Sequence, residues 1–167
     1  MFNKLGKQTM NDVIVYRGGT EIVEIPICKF GRKNLDFGQG FYVTDIRKQA
    51  VTWAVNVAQS RNKKAILNRN AIINEFHCLI FEAYDEKWLE FIVNNRTGVN
   101  VADNFDYIEG GVANDRVVDT VNLYIAGLME LSTALRELSK HQPNNQMCIL
   151  NQNIINKYLI YDGAEEL

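Results

Sequence analysis

Glycine falls twice against the most strand-like runs of this chain. Gly18 and Gly19 close "DVIVYRGG", and Gly38 and Gly40, separated only by Gln39, lead into "FYVT". Glycine weakens a strand unless the chain must take positive φ or something must approach the backbone closely. The two pairs therefore mark two short strands and two places of close approach. The alternation in "DVIVYRG" puts Val13, Val15 and Arg17 on one face of the first strand,. In the second, Tyr42 and Thr44 share a face opposite Phe41 and Val43,.

Between and beyond these strands the pattern alternates irregularly between helix and strand. "TDIRKQAVTWAVNVAQSRNKK" reads as a helix capped by Thr44 or Asp45, with Ile46, Ala50, Trp53, Ala54, Val57 and Ala58 as its buried stripe,. "NEFHCLIFEAY" reads as a strand, "DEKWLEFIVNNR" as a short helix with an acidic start, and "DYIEGGVAN" as a strand interrupted by glycines,. "DTVNLYIAGLMELSTALRELSK" reads as one long helix ended before Pro143,. "NQMCIL" reads as a strand, and "NQNIINKYLIYDG" as a terminal helix followed by a strand. Several strands are joined by loops alone, which predicts an α+β fold with largely antiparallel pairing rather than a doubly wound sheet.

A chain of 167 residues, 47% apolar and 23% charged, is expected to form a single domain with a substantial core, residues 1–10 being a tail and Met10 an alternative start,. The formal charge of −2 does not suggest nucleic-acid binding, although a local basic patch stays open,. The apolar runs are too short to span a membrane, and "MFNKLGKQTMNDV" lacks an apolar signal core,. Cys28, Cys78 and Cys148 have no partners at metal-ligand spacing and are expected as small buried side chains in a reducing, cytoplasmic setting,. His77 and His141 stand alone, His77 within an apolar strand, so no metal is expected,.

Three strands each carry one distinctive polar or aromatic group: Arg17, Tyr42 and Gln146. A guanidinium beside glycines suits an anion such as phosphate. A tyrosine suits a planar ring, and a carboxamide suits a hydroxyl. The three together suit a ligand with phosphate, ribose and an aromatic base. Periodicity alone leaves a plainer reading open, with Arg17 an exposed strand residue, Tyr42 core and Gln146 solvated. The glycines do not match a dinucleotide fingerprint or a phosphate-binding loop,.

"FGQGFYVTDIRKQAVTWA" resembles the segment of ADP-ribosyltransferases of the poly(ADP-ribose) polymerase type in which F-G-x-G-[IF]-Y runs into a helix. "VYRGG" resembles the first strand of the wider superfamily, and "NQMCILNQNIINKYL" resembles its third motif, an N-E-x-x-[IV] strand carrying the catalytic glutamate. The motifs stand in the family's order between Val15 and Leu159, and the chain is most similar to an uncharacterised bacterial branch. The resemblance implies a split, mainly antiparallel β-sandwich with flanking helices, with NAD as substrate in a cleft between two small sheets. It implies Arg17 against the NAD phosphate or ribose, the Gly18 backbone on the nicotinamide amide, and Tyr42 stacked on the nicotinamide ring. Thr44 would support the site, and Asn34, Asp36, Phe37 and Gly40 would belong to the segment around the ligand. It further implies mono-ADP-ribosyl transfer to a macromolecule, in a toxin–antitoxin-like pair with a small protein partner.

Two positions depart from the family pattern. Arg17 stands where the polymerase type has histidine, and Gln146 stands where the glutamate is expected. Glutamine binds a hydroxyl but brings no charge to a cation-like sugar, and charge-assisted hydrogen bonds are roughly twice as strong as neutral ones. Asp106, Glu109 and Asp115 are candidates for a substitute acid. The alternative is a protein that binds NAD, ADP-ribose or a partner on the same fold without turnover.

Overall fold

The computed structural model describes residues 8–76, 78–113, 115–141 and 144–167. Among them are seven strands and five α-helices in the order β1 (Gln8–Gly19), β2 (Phe41–Val43), α1 (Arg47–Arg61), β3 (Ile66–Phe76), β4 (Cys78–Ile80), α2 (Glu86–Arg96), β5 (Tyr107–Gly110), α3 (Asp115–Ile125), α4 (Leu131–Leu138), β6 (Gln146–Ile149), α5 (Gln152–Tyr158) and β7 (Leu159–Glu166). They form two open sheets. One is antiparallel with order β1-β3-β7; the other has order β2-β6-β5-β4, antiparallel except for the parallel pair β4–β5. The expected α+β class with mostly antiparallel pairing holds at this level. Among the described residues a single bridge joins the sheets, with the Tyr16 and Thr44 backbones exchanging hydrogen bonds of 2.7 and 2.9 Å.

The alternation read from the sequence decides which side each strand buries. Val15 and Ile72 from the first sheet meet Phe41, Val43, Met147, Ile149 and Tyr107 from the second in one apolar cluster. The other face of the second sheet, with Ile108 and Cys148, packs with α2, α3 and α4 around Phe37, Trp88, Leu89, Val121 and Leu138. Each large apolar side chain so buried contributes about 1.5–3 kcal/mol. Trp88 is fully buried, yet its indole N–H donates to the Gly111 carbonyl at 2.8 Å, and Asp85 caps α2 by accepting from Trp88 N at 2.9 Å,. Cys28, Cys78 and Cys148 are buried, as expected.

Several expectations need correction. Trp53 is 57% exposed rather than core, and Ile46 is exposed too. The buried line of α1 is Ala50, Ala54 and Ala58, because α1 lies so close to β1 that only small side chains fit between them. No side chain caps α1: its N-cap is Ile46, and the Thr44 hydroxyl accepts from Ile46 N one step earlier. The expected long helix is two. Gly127, at φ +69°, turns the chain after α3, with Gly127 N donating to Tyr124 O and Leu128 N to Leu123 O, the paired bonds of a Schellman end,. β3 begins at Ile66, well before the strand expected from "NEF", and β1 begins at Gln8, inside the expected tail. Residues 1–7 and His77 lie outside the described residues.

Candidate functional site

The short strand β2 is the meeting point of the three sequence motifs. It is an edge of its sheet, so its free side is open to the end of β1. Arg17 comes across that edge. Its guanidinium donates to the Tyr42 carbonyl at 3.1 Å and lies over the Phe41 ring, 4.9 Å from the centroid,. Burial lowers the Arg17 pKa from its ordinary value,. On the other side of β2, Tyr42 is paired with Cys148 of β6, and Gln146 opens the same strand two residues earlier. Tyr42 and Gln146 thus share a sheet face, while the Arg17 fork reaches β2 at its edge and touches the ring on the opposite face. Gln146 is partly exposed.

Tyr42 is already engaged by its own loop. Its hydroxyl donates to the Gly38 carbonyl at 2.7 Å and accepts from Phe37 N at 3.1 Å. Burial, and after it the nearby Cys148 thiol, push the phenol well above its ordinary range. Thr44 is buried; its hydroxyl donates to the Asn145 carbonyl at 2.6 Å, tying the end of β2 to the residue before Gln146. Asn145 is a polar hub that sequence reading missed. Its amide donates to Asp45 at 3.0 Å and Glu109 at 2.9 Å, and its carbonyl also accepts from the Gln49 amide at 2.9 Å. Glu109 takes a second bond from the Tyr107 hydroxyl at 2.7 Å, and Asp106 accepts from the Asn151 amide at 2.7 Å. Two of the candidate acids are therefore partnered within the chain; the Asp115 side chain lies outside the described residues. A polar residue just before an apolar strand, as in "NNQMCIL", was the available signal for Asn145.

The loop expected over a ligand is fixed by contacts of its own. Asp36 is buried, ion-paired to Arg96 at 2.7 Å, and accepts from Ala113 N at 2.9 Å, while its carbonyl takes the Asn95 amide at 3.0 Å. Phe37 is fully buried and stacks with Phe81 at 6.2 Å. Asn34 is exposed at φ +57°. The glycines also serve the chain itself. A Cβ on Gly18 would stand 2.0 Å from the Ala50 carbonyl oxygen, and one on Gly40 would stand 2.5 Å from the Cys148 sulfur. The space at these two positions belongs to α1 and β6. Two surface hollows of about 350 and 360 Å³ lie elsewhere, one by the end of α1 and one over the outer face of β1, β3 and β7. Arg17, Tyr42 and Gln146 line neither.

Residues 13–161, from the first strand of the site to the last strand of the chain, match the model of a family described as "Protein of unknown function (DUF3990)". The chain belongs to that family. The matched span includes Arg17, Tyr42, Gln146 and every partner named above. No curated protein matches, and no solved structure matches. No helix among the described residues is long and apolar enough to cross a membrane. The DUF3990 match thus spans all the residues of the candidate site, without an activity attached.

Proposed function

We propose that the chain is an NAD-dependent ADP-ribosyltransferase-like protein that transfers single ADP-ribose units to a macromolecule. The observation that carries this reading is the meeting of three motifs around one strand pair, β2–β6. Arg17 lies at its edge, Tyr42 within it and Gln146 at its start, in the order of the superfamily they resemble. Two packed, mostly antiparallel sheets with helices alongside are compatible with the split β-sandwich of that superfamily. In the reaction the bond from the ribose C1′ to the nicotinamide nitrogen breaks, and nicotinamide leaves with the electron pair. An acceptor nucleophile then bonds to C1′ and gives up its proton. Arg17 would hold the phosphate or ribose, the half-buried ring of Tyr42 would face nicotinamide, and the Gln146 amide would hold a ribose hydroxyl. NAD as substrate and a small antitoxin-like protein as partner are parts of the same proposal.

Gln146 favours a second reading, an NAD or ADP-ribose binder without turnover. Replacing a carboxylate by a neutral amide at a cation-like centre costs about 3–4 kcal/mol, roughly 10²–10³ in rate. Ground-state binding suffers less. Incubation with labelled NAD separates the readings. Transfer of label to lysate macromolecules, abolished by Arg17→Ala, supports the enzyme. Binding without label transfer or NAD loss supports the binder, and Gln146→Glu then creates turnover. Neither binding nor NAD loss sinks both.

A further inference from the structure

Two exposed patches on this chain are opposite in charge and alike in being apolar. The first is the loop of residues 22–33, where Phe30 is 83% and Ile25 80% exposed, with Ile22 and Ile27 exposed beside them. Lys29, Arg32 and Lys33 add three positive charges against the single exposed carboxylate of Glu24, and no acidic residue occurs from 25 to 35. These three cations are exposed and make no ion pair or side-chain hydrogen bond among the described residues. The loop is nonetheless held rigidly. Gln152 accepts from Cys28 N at 2.9 Å and donates to the Pro26 carbonyl at 3.0 Å, and the Gln39 amide donates to the carbonyls of Lys29 and Gly31. The second patch is the corner between α3 and α4. Leu128 is 75% exposed there, with Leu123 and Ile125 also exposed. Glu130 lies at the corner and Asp119 about two turns back along α3; no Lys, Arg or His occurs from 117 to 135, the exposed Arg116 and Arg136 flanking that stretch,.

We propose that the cationic loop of one copy of this chain docks on the acidic α3–α4 corner of a second copy. Exposed apolar clusters of this kind mark association sites. Both patches are pre-ordered, the loop by glutamine side chains and the corner by its Schellman turn, so docking orders little new chain,. The complementarity selects the occupant. A nucleic acid or anionic membrane would meet the cations but leave the acidic corner unpaired. A second copy satisfies both patches, in a closed pair or head to tail.

Sedimentation velocity on the full chain, up to about 0.5 mM and at low and high salt, reads dissociation constants into the millimolar range. The wild type self-associates, about tenfold more weakly at high salt. K29E/R32E/K33E and D119K/E130K are each monomeric with unchanged thermal unfolding. The two variants mixed form a hetero-complex, which Phe30→Ala or Leu128→Ala in the matching partner weakens at least fivefold. That loss separates patch contact from general attraction between oppositely charged chains. A wild type that stays monomeric throughout overturns the proposal. So does self-association that survives both charge reversals, or a mixture indifferent to Phe30 and Leu128.

Discussion

A methyl group at Gly18 would come 2.0 Å from the Ala50 carbonyl oxygen, whereas at Gly19 it would meet nothing within 4 Å. Adjacent glycines thus have different reasons to be small. Gly18→Ala is expected to lower stability by about 1–3 kcal/mol through overpacking of α1 on β1, and Gly19→Ala to change it little; urea unfolding midpoints distinguish them. The phenol of Tyr42 gives a pH signature. Burial raises its pKa above the ordinary 10.0 in the folded chain, and burial with Glu109 beside it does the same for Tyr107. The unfolded chain therefore releases these protons first. The stability they contribute is fully present below about pH 10 and is lost as pH rises further,. Tyr42→Phe should lower stability at neutral pH by about 1–3 kcal/mol, because Phe37 N loses its acceptor, and should flatten the alkaline decline,. Midpoints measured from neutral to strongly alkaline pH check both parts.

Between elements, the strongest joint of the candidate site is Asp36 with Arg96, which locks the loop before β2 to α2 while Asp36 also takes Ala113 N. Asp36→Ala leaves a largely buried guanidinium without its counter-charge and is expected to cost about 3–5 kcal/mol, read by denaturant unfolding. At the α3–α4 corner, Gly127→Ala forces a side chain into the left-handed region and should cost about 1–2 kcal/mol,. That glycine was visible in "YIAGLME", yet apolar residues at helical spacing on both sides of it read as one helix. Val121, Ile125, Leu128 and Leu131 carry the spacing across the break, and the positive φ at Gly127 with the extended backbone of Glu130 separates the two helices. Trp53 misled for a related reason. Helical periodicity ranks large apolar residues as core, but the distance from α1 to β1 is set by Ala50, Ala54 and Gly18, which periodicity does not weigh. The short strands β2 and β5 were legible because a glycine bounds each, and β6 because a short apolar run stands between polar residues. β3 was hidden by its polar centre: Asn68 and Asn70 are buried in a strand whose sequence, "ILNRNAI", looks like a loop.

Over the whole molecule, the sequence placed Arg17, Tyr42 and Gln146 on three strands, and the fold brings β1 and β6 to either side of the edge strand β2, with Arg17 over its Phe41 face and Gln146 on its Tyr42 face. What the sequence hid is how much of that edge the chain uses for itself. The glycines expected to admit a ligand admit α1 and β6, Asp36 and Phe37 are spent on α2 and the core, and Asn145 joins two carboxylates to the end of β2. Long-range hydrogen bonds of this kind leave no local pattern to read. The account rests on NAD recognition at the β2 edge, and calorimetric titration of the purified chain with NAD tests it most directly. It predicts saturable one-site binding that Arg17→Ala and Tyr42→Ala each weaken at least tenfold. An absence of saturable heat up to about 5 mM NAD, or binding indifferent to both substitutions, would contradict it.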